Sequence, residues 1–556
     1  MTYVKKDDTI EYVPVIDTEC VAFDKDYKVH FKKMSEVSRH PALEVYDILL
    51  ETGKRVKVTG NHSVFTVKNN EVVPIRVDQL QKGKFVVAPK KIPLVEEVKE
   101  ISLLDEFTIL SRKYSSLYLR NFSDEKLFSE LKELQEEYPI LKGKIKNWKR
   151  HNTLPLWTLH LLAGKINIYN YELKDCSIGM YSGRSTLPLK LSLDVSFMRA
   201  LGFFVAEGTA RKNHVIYSFG SHEKEFIKEI CNTITQKFHL TYNLFEKETS
   251  ATQVQFNSTL LSILFKSVLK TGSVASEKRV PSLIFSVPLS LKKAFITSYL
   301  QGDGSIVIQK HEGFRPDVCV STNSASSSLT QDFLLLYSQL GIHANYQEAF
   351  ISGHVIDQTG QFVKDSVSYR ALLKNPDSVY DLGFLNEKPT KALGKGAIET
   401  FVPAPQEYKK VWKSRNRIRI DRILALQIAE KYGDKKLAKL AQSSFLFLRI
   451  QSIQKVPSTS GYAYDFTVPG YENFVGGRGG IFLHNTKYDR GLGTDVGQKQ
   501  DIYRLSGKGK NKYFRLRKWQ YRISTAIERN LKLALAELKR VASYLKLPKS
   551  VEEESE

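Results

Sequence analysis

The sequence predicts a multidomain α+β protein, on three observations. Short segments with alternating apolar residues crowd the first 95 positions and return from about residue 446. A repeated unit of apolar helix, strands, helix and strand lies between them. A long amphipathic helix begins near Tyr513, with Trp519, Ile523, Ile527, Leu531 and Leu538 three and four apart or in phase with that spacing. At roughly 150 residues per domain, 556 residues give three or four domains. Hydrophobic residues at 42% and charged residues at 26% exclude a chain that is disordered throughout. Lys and Arg number 83 against 60 Asp and Glu, and that surplus favours a polyanionic partner, nucleic acid first. No lipidation signal, concentrated basic amphipathic helix or run of 18 apolar residues is present, so the reading is a cytoplasmic protein with no membrane partner. Cys20, Cys176, Cys231 and Cys319 lack CxxC spacing, which excludes a disulfide scaffold and a Cys-rich zinc site.

In chain order, residues 1–96 read as an all-β unit with strands TIEYVPVID, YKVHF, EVYDILLET, RVKVTG, SVFTVK, EVVPIRV and KFVVAP. Residues 97–190 read as helical, from LLDEFTILSRKYSSLYL and EKLFSELKELQEE. Within them KGKIKNWKRHNTLPLWTLHLLAGK (142–165) is open to two readings: a helix-turn-helix-like DNA contact, or an amphipathic helix pair with a solvated face. Residues 191–385 hold the repeat, 386–445 a helical connector, and 446–485 the returning strands FLRIQSIQKV, AYDFTV and GGIFLHN. Residues 486–556 open Gly- and Lys-rich and end in the amphipathic helix.

The repeat sets DVSFMRALGFFVAEG (194–208) against LKKAFITSYLQGDG (291–304). Gly202 and Ala206 are four apart, as are Ser298 and Gly302, so each helix presents a stripe of small residues. Two such stripes can pack backbone to backbone, bringing Glu207 and Asp303 to one end of the seam. Like charges that close are unfavourable without a cation between them, and Mg²⁺ takes a few carboxylates with water and phosphate oxygens. Such a site suits phosphodiester hydrolysis; the competing reading is two ordinary helix ends capped by glycine. ALGFFVAEG and ITSYLQGDG resemble the two motifs of the LAGLIDADG homing endonucleases, with KRVP (278–281) similar to an element before their second motif. The resemblance implies an α+β fold of two αββαββα-like halves, Glu207 and Asp303 as ligands of the catalytic Mg²⁺, Lys278 as an assisting lysine and double-stranded DNA as substrate. Val205 stands where the motif consensus has an acid.

The flanks carry a different chemistry. TGNHSVF places Thr59 and His62 three apart on a turn, and GGIFLHNT places His484 and Asn485 before Thr486. An asparagine amide can attack its own carbonyl, closing a succinimide and breaking the next peptide bond. A neighbouring histidine can protonate the departing nitrogen, and a hydroxyl such as Thr486 can accept an acyl group beforehand. VTGNHSVF, YDFTVPGYENFVGG and GGIFLHNT, in that order around an endonuclease-like insert, resemble the splicing motifs of inteins. The resemblance covers about residues 1–485 and implies an all-β Hint horseshoe built from 1–96 and 446–485. It implies that Thr59 and His62 activate the upstream junction, that Asp465, His484, Asn485 and Thr486 act at the downstream one, and that splicing needs no cofactor. Glu472 stands where many inteins carry histidine. No Cys or Ser precedes the first strand, which leaves two sources open for the first nucleophile: a separate N-terminal fragment, or a true start upstream of Met1.

TKYDRGLGTDVG and the helix after RLRKWQ resemble archaeal transcription initiation factor B, of the factor IIB family, at its linker and the start of its first cyclin repeat. Arg515, Arg517, Lys518, Arg522 and Arg529 form a basic cluster there. The reading is therefore an intein-bearing fragment of that factor. It would splice or cleave at Asn485 and cut the intein-less factor gene. The alternative is an initiation factor beside a catalytically silent intein. RNA polymerase and TATA-binding protein enter as partners only if the host factor is complete.

Overall fold

The computed structural model describes residues 4–7, 10–94, 97–246, 251–309, 317–355, 362–363, 365–387, 398–411 and 417–485. Thr486, the basic cluster and the amphipathic helix expected near Tyr513 lie outside them. The fold is mixed α+β and gathers into two compact units, one from the chain's two flanks and one from Glu97–Gly304. Among the described residues no helix is long and apolar enough to cross a membrane.

In the flanking unit, strands from the two ends of the chain interleave. Tyr462–Thr467 pairs with Val29–Pro41, and Ile481–His484 lies beside Ser63–Lys68. Phe445–Pro457 runs between Glu44–Leu50 and Phe85–Pro89. Phe445 is the cross-strand partner of Pro89, and Lys90 N–H donates to the Ser444 carbonyl at 2.9 Å. The long intervening segment thus leaves and re-enters at facing residues.

Side chains alternate across a strand, and here the two faces feed two cores. Ala22, Val64, Val86, Leu446, Leu448 and Leu483 enter one; Val21, Phe23, Phe65, Val87, Phe445 and Phe482 enter the other. The second core is closed by residues expected to form only a connector. Ile428 and Ala429 from helix Arg422–Tyr432, and Leu437 and Leu440 from helix Lys435–Ala441, pack into it. The Arg422 guanidinium, pushed down to about 10 by burial, donates to the carbonyls of Glu399, Ala441, Ser443 and Phe445.

The repeat is visible in the topology. Val195–Glu207, to be called α1, is followed by Gly208–Ala210, Val215–Gly220, a helix, Tyr242–Glu246 and Ala251–Phe256. Leu289–Asp303, α2, is followed by Gly304–Gln309, Asp317–Ser324, a helix, Asn345–Ile351 and Ser366–Leu373. In both sheets the strands lie in the order first, second, fourth, third. Compactness divides the chain inside this module. Beyond α2 the second copy groups with the flanks, where Tyr346 N–H donates to the Thr52 carbonyl at 2.8 Å.

The stretch 97–190 is not simply helical. Helices Leu103–Leu110, Glu125–Glu133, Ile145–Arg150 and Leu156–Leu161 accompany a sheet ordered Thr153–Pro155, Leu117–Arg120, Ser177–Met180, Thr186–Pro188. Leu117 and Leu119 are buried and Tyr118 and Arg120 half-buried, the two-residue period of a strand hidden in an otherwise helical pattern. The helices of 142–165 are separated by Asn152, with φ at 51°, and by the strand Thr153–Pro155, so they do not form a helix-turn-helix.

α1 buries residues on all its faces, as a helix packed on every side must. Its seam with α2 is close: a Cβ on Gly202 would stand 2.1 Å from Ser298 Oγ and 2.4 Å from the Phe295 carbonyl oxygen. On Gly302 it would stand 2.9 Å from Ala206 Cβ. Gly208 and Gly304, which end the two helices, are extended, with φ of −94° and −86°. They are glycines for want of space and not as left-handed caps. A Cβ there would meet the carbonyl oxygens of Phe204 and Leu300 at 2.5 and 2.4 Å. Gly202→Ala should therefore destabilise by about 1–3 kcal/mol and Gly302→Ala by less, ranked by urea denaturation of the two variants.

Candidate active sites

The ends of α1 and α2 carry the first site. Asp194 starts α1 by accepting the Phe197 N–H at 2.8 Å, and Pro288 precedes the first turn of α2. The helices then deliver Glu207 and Asp303 to the same end of the seam, where Gly302 lets Glu207 approach. A Cβ on that glycine would be 3.4 Å from Glu207 Cγ. Burial, then the charges of Asp303 and Glu223, push Glu207 up to about 7, with Lys278 opposing. Burial pushes Asp303 up to about 6 although solvent reaches its side chain; the Tyr299 hydroxyl, 3.2 Å from Oδ2, and Lys278 pull the other way.

Lys278 is buried under the pair. Its Nζ donates to the carbonyls of Phe204 at 2.8 Å and Gly208 at 2.5 Å and sits 4.4 Å from the Phe204 ring centroid. Burial brings it down to about 8, with both acids pulling it back up. All three residues expected from the sequence are thus brought together. Glu223 is an addition: its carboxylate accepts the Gly220 N–H at 2.7 Å, and only the fold brings its charge near Glu207.

Among the described residues no group of three or more His, Cys, Asp and Glu could hold a metal ion. The pair nonetheless fits a hard divalent cation. Two carboxylates whose charges are penalised by burial, and one by the other, are relieved by a cation that takes two protein oxygens and keeps its waters.

The second site lies at the end of the sheet made by Asn473–Gly476, Ile481–His484, Ser63–Lys68 and Glu71–Arg76. Thr59 opens a turn in which its carbonyl accepts the His62 N–H at 3.1 Å. His484, last in its strand, pairs with Ser63, which places it next to His62. His62 is fully buried, and neither ring nitrogen has a hydrogen-bond partner among the described residues. Burial pushes it down to about 3, with His484 and His40 adding to the fall. His484 is lowered by burial and raised by Glu472, and its Nδ1 is also without a partner there.

Asn485 is buried and donates its N–H to the Glu472 carbonyl at 2.8 Å. Glu472 has φ at 49° and is followed by Asn473, whose side chain accepts the Phe23 N–H at 2.8 Å and donates to the Phe23 carbonyl at 2.9 Å. That amide holds the turn facing Asn485 onto the sheet. Asp465 lies in a different sheet, paired with Ser38. Burial raises its carboxyl well above the usual range, against a 2.7 Å hydrogen bond from the Phe466 N–H.

Residues 11–485 match the family model of the intein splicing domain. The chain is an intein-family protein. Over 555 residues this intein-bearing chain is 28% identical to transcription initiation factor IIB of Methanocaldococcus jannaschii, covering 99% of the chain and 56% of that relative. It therefore spans about half the length of that curated relative. A transcription factor IIB Mvu mini-intein is 50% identical over 16% of the chain and 52% of its own, with a TM-score of 0.16. The homing endonuclease I-DmoI, described in complex with DNA and Mn, is 14% identical over 34% of the chain and 97% of its own, with a TM-score of 0.23.

Within the intein, His40, Asn473 and Lys54 escape a reading by motif. His40 is visible beforehand only as one histidine on a strand, and Asn473 as a polar residue next to a turn. Lys54 is buried, pushed down to about 8, and donates to the Gly479 carbonyl in the loop before His484.

The neutral His62 has a measurable consequence. The unfolded chain takes up this proton near pH 6.5 and the folded intein only near 3. Its contribution to stability is thus complete above 6.5 and lost as pH falls through that window, by at most about 1.4 kcal/mol per pH unit. Urea denaturation between pH 4 and 7 should show His62→Gln with a shallower acid slope than the parent; an equal slope would place the charge change elsewhere.

Proposed function

We propose that this chain is an intein with a resident DNA endonuclease, carried in a transcription initiation factor IIB host. The observation that carries the splicing half is the convergence of His62, His484 and the buried Asn485 at one sheet end. Asn485 Nδ2 attacks its own carbonyl carbon, the new N–C bond closes a succinimide, and the bond to residue 486 breaks. His484 gives a proton to the departing nitrogen, and solvent takes the Nδ2 proton released by the attack and returns one to His484. The Glu472 carbonyl holds the Asn485 backbone while the side chain turns inward. Thr59 and His62 serve the upstream junction, where a buried neutral imidazole with open ring nitrogens can accept or donate a hydrogen bond to the scissile peptide. Thr486 accepts the acyl group before the Asn485 step, and Asp465, kept toward its neutral form, hydrogen-bonds in the same reaction as a donor.

Intact mass of the purified chain, followed over hours, tests this. Residues 486–556 should be released, and Asn485→Ala should remain whole; equal release from the variant would dismiss Asn485 as the cleaving residue.

The acid pair supports the second activity. Glu207 and Asp303 would hold Mg²⁺, which would supply positive charge toward the scissile phosphate and acidify water. Lys278, fixed by two carbonyls, keeps its ammonium under the carboxylates and moderates their repulsion. The basic chain, with 83 Lys and Arg against 60 Asp and Glu, draws DNA by charge. The substrate is duplex DNA, the intein-less factor IIB gene being the expected target. Mg²⁺-dependent cutting of a plasmid bearing that gene should fall at least about 100-fold in Asp303→Asn, about 3 kcal/mol of barrier. Undiminished cutting would remove Asp303 from the metal site.

A further inference from the structure

The helix and sheet module 97–190 enters neither activity, yet it contains a cleft of about 500 Å³, within the size range of small-molecule sites. Tyr118, Arg120, Asn121, Trp148, His151 and Tyr181 line it. Three of the six are aromatic and the other three carry donors or a fixed charge. The Tyr118 and Tyr181 rings stand 5.5 Å apart at 43°. Tyr181 is 71% exposed, which leaves its ring open to a ligand. Trp148 is buried against Trp157, edge to face at 5.8 Å, which makes its wall rigid.

Arg120 forms the floor. Its guanidinium donates to the Met180 and Tyr181 carbonyls and lies across Gly179, where a Cβ would stand 2.2 Å from Nε. A guanidinium, two neighbouring tyrosine rings, an amide and an imidazole lining one cleft offer the stacking and polar groups that a nucleobase uses.

Charge points the same way. Residues 142–165 hold six lysines and arginines and no Asp or Glu. Lys142, Lys149 and Lys165 are paired with Glu136, Glu125 and Glu137. Lys146 and Arg150, next to the cleft residues in sequence, and Arg184, three beyond Tyr181, have no carboxylate partner among the described residues. A small apolar ligand would have no use for that charge, and an acidic peptide would have none for the aromatic walls. We propose that the cleft holds one unpaired nucleotide of DNA, its base stacked on Tyr181 and its phosphates met by Lys146, Arg150 and Arg184. The proposal rests on the DNA reading above for its choice of nucleic acid.

The test is fluorescence anisotropy of the full chain with labelled single-stranded and duplex oligonucleotides of one sequence. Tyr181→Ala should weaken single-strand binding by roughly 5- to 100-fold, the range of one lost base–aromatic stack. Tyr181→Phe should restore it, and duplex binding should change less than about twofold. The exposure of Tyr181 lets both variants fold, and circular dichroism checks that they do. Single-strand binding that is indifferent to Tyr181→Ala, or single-strand and duplex binding that fall together, would overturn the proposal. Asp303→Asn separates the two readings: it should abolish cutting and leave Tyr181-dependent binding intact. A parent chain that cuts no DNA yet shows that binding would overturn the nuclease reading alone.

Discussion

Phe445 faces Pro89 across two antiparallel strands, and this pairing governs the flanking unit. A β-sheet asks only that paired backbones meet in register and is indifferent to how far apart they lie in the chain. Closing a longer flexible loop costs only about 0.6 kcal/mol per doubling of length, and a folded insert with neighbouring ends costs less still. Strand Phe445–Pro457 can therefore sit between Glu44–Leu50 and Phe85–Pro89 with the whole span from Lys90 to Ser444 between them. The same interleaving carries Ile481–His484 to Ser63–Lys68 and so sets His484 beside His62.

Around that pairing, alternation does the packing. Each shared strand sends consecutive residues into two different cores, so a one-residue slip would exchange Phe445 and Leu446, two side chains of different shape in two filled spaces. Register is thereby tied to packing, and His62 and His484 inherit their placement from it. The segment expected to be a connector is part of this constraint, since Ile428 and Leu440 close the second core.

The acid pair between α1 and α2 depends on a different device. Gly202 and Gly302 remove the side chains that would hold α1 and α2 apart, and the helices then bring two carboxylates closer than water would allow them to rest. Burial raises both Glu207 and Asp303, the charge of Asp303 adds to it at Glu207, and Lys278 opposes it. At the sheet end burial acts on a base: it strips His62 of its proton, where in the acid pair it favours keeping one.

Much of this was legible in the sequence because it is local. Strand alternation, the four-residue spacing of Gly202 and Ala206, the adjacency of His484 and Asn485 and the repeat itself are periodicities or covalent neighbours, and they survive without a fold. The strand Leu117–Arg120 was missed because its four residues lie between helix-like runs too close to separate by period. His40, Glu223 and Asn473 were missed because their roles come from partners distant in sequence: Asn473 serves Phe23, and Glu223 acts on Glu207. The sequence by itself determined the order of the modules and the kinds of chemistry their side chains offer. Only the tertiary structure decided which residues share a site, how deeply each is buried and which form it holds at neutral pH. Desolvation and Coulomb interaction depend on distance through space, and the order of residues along a chain does not specify that distance.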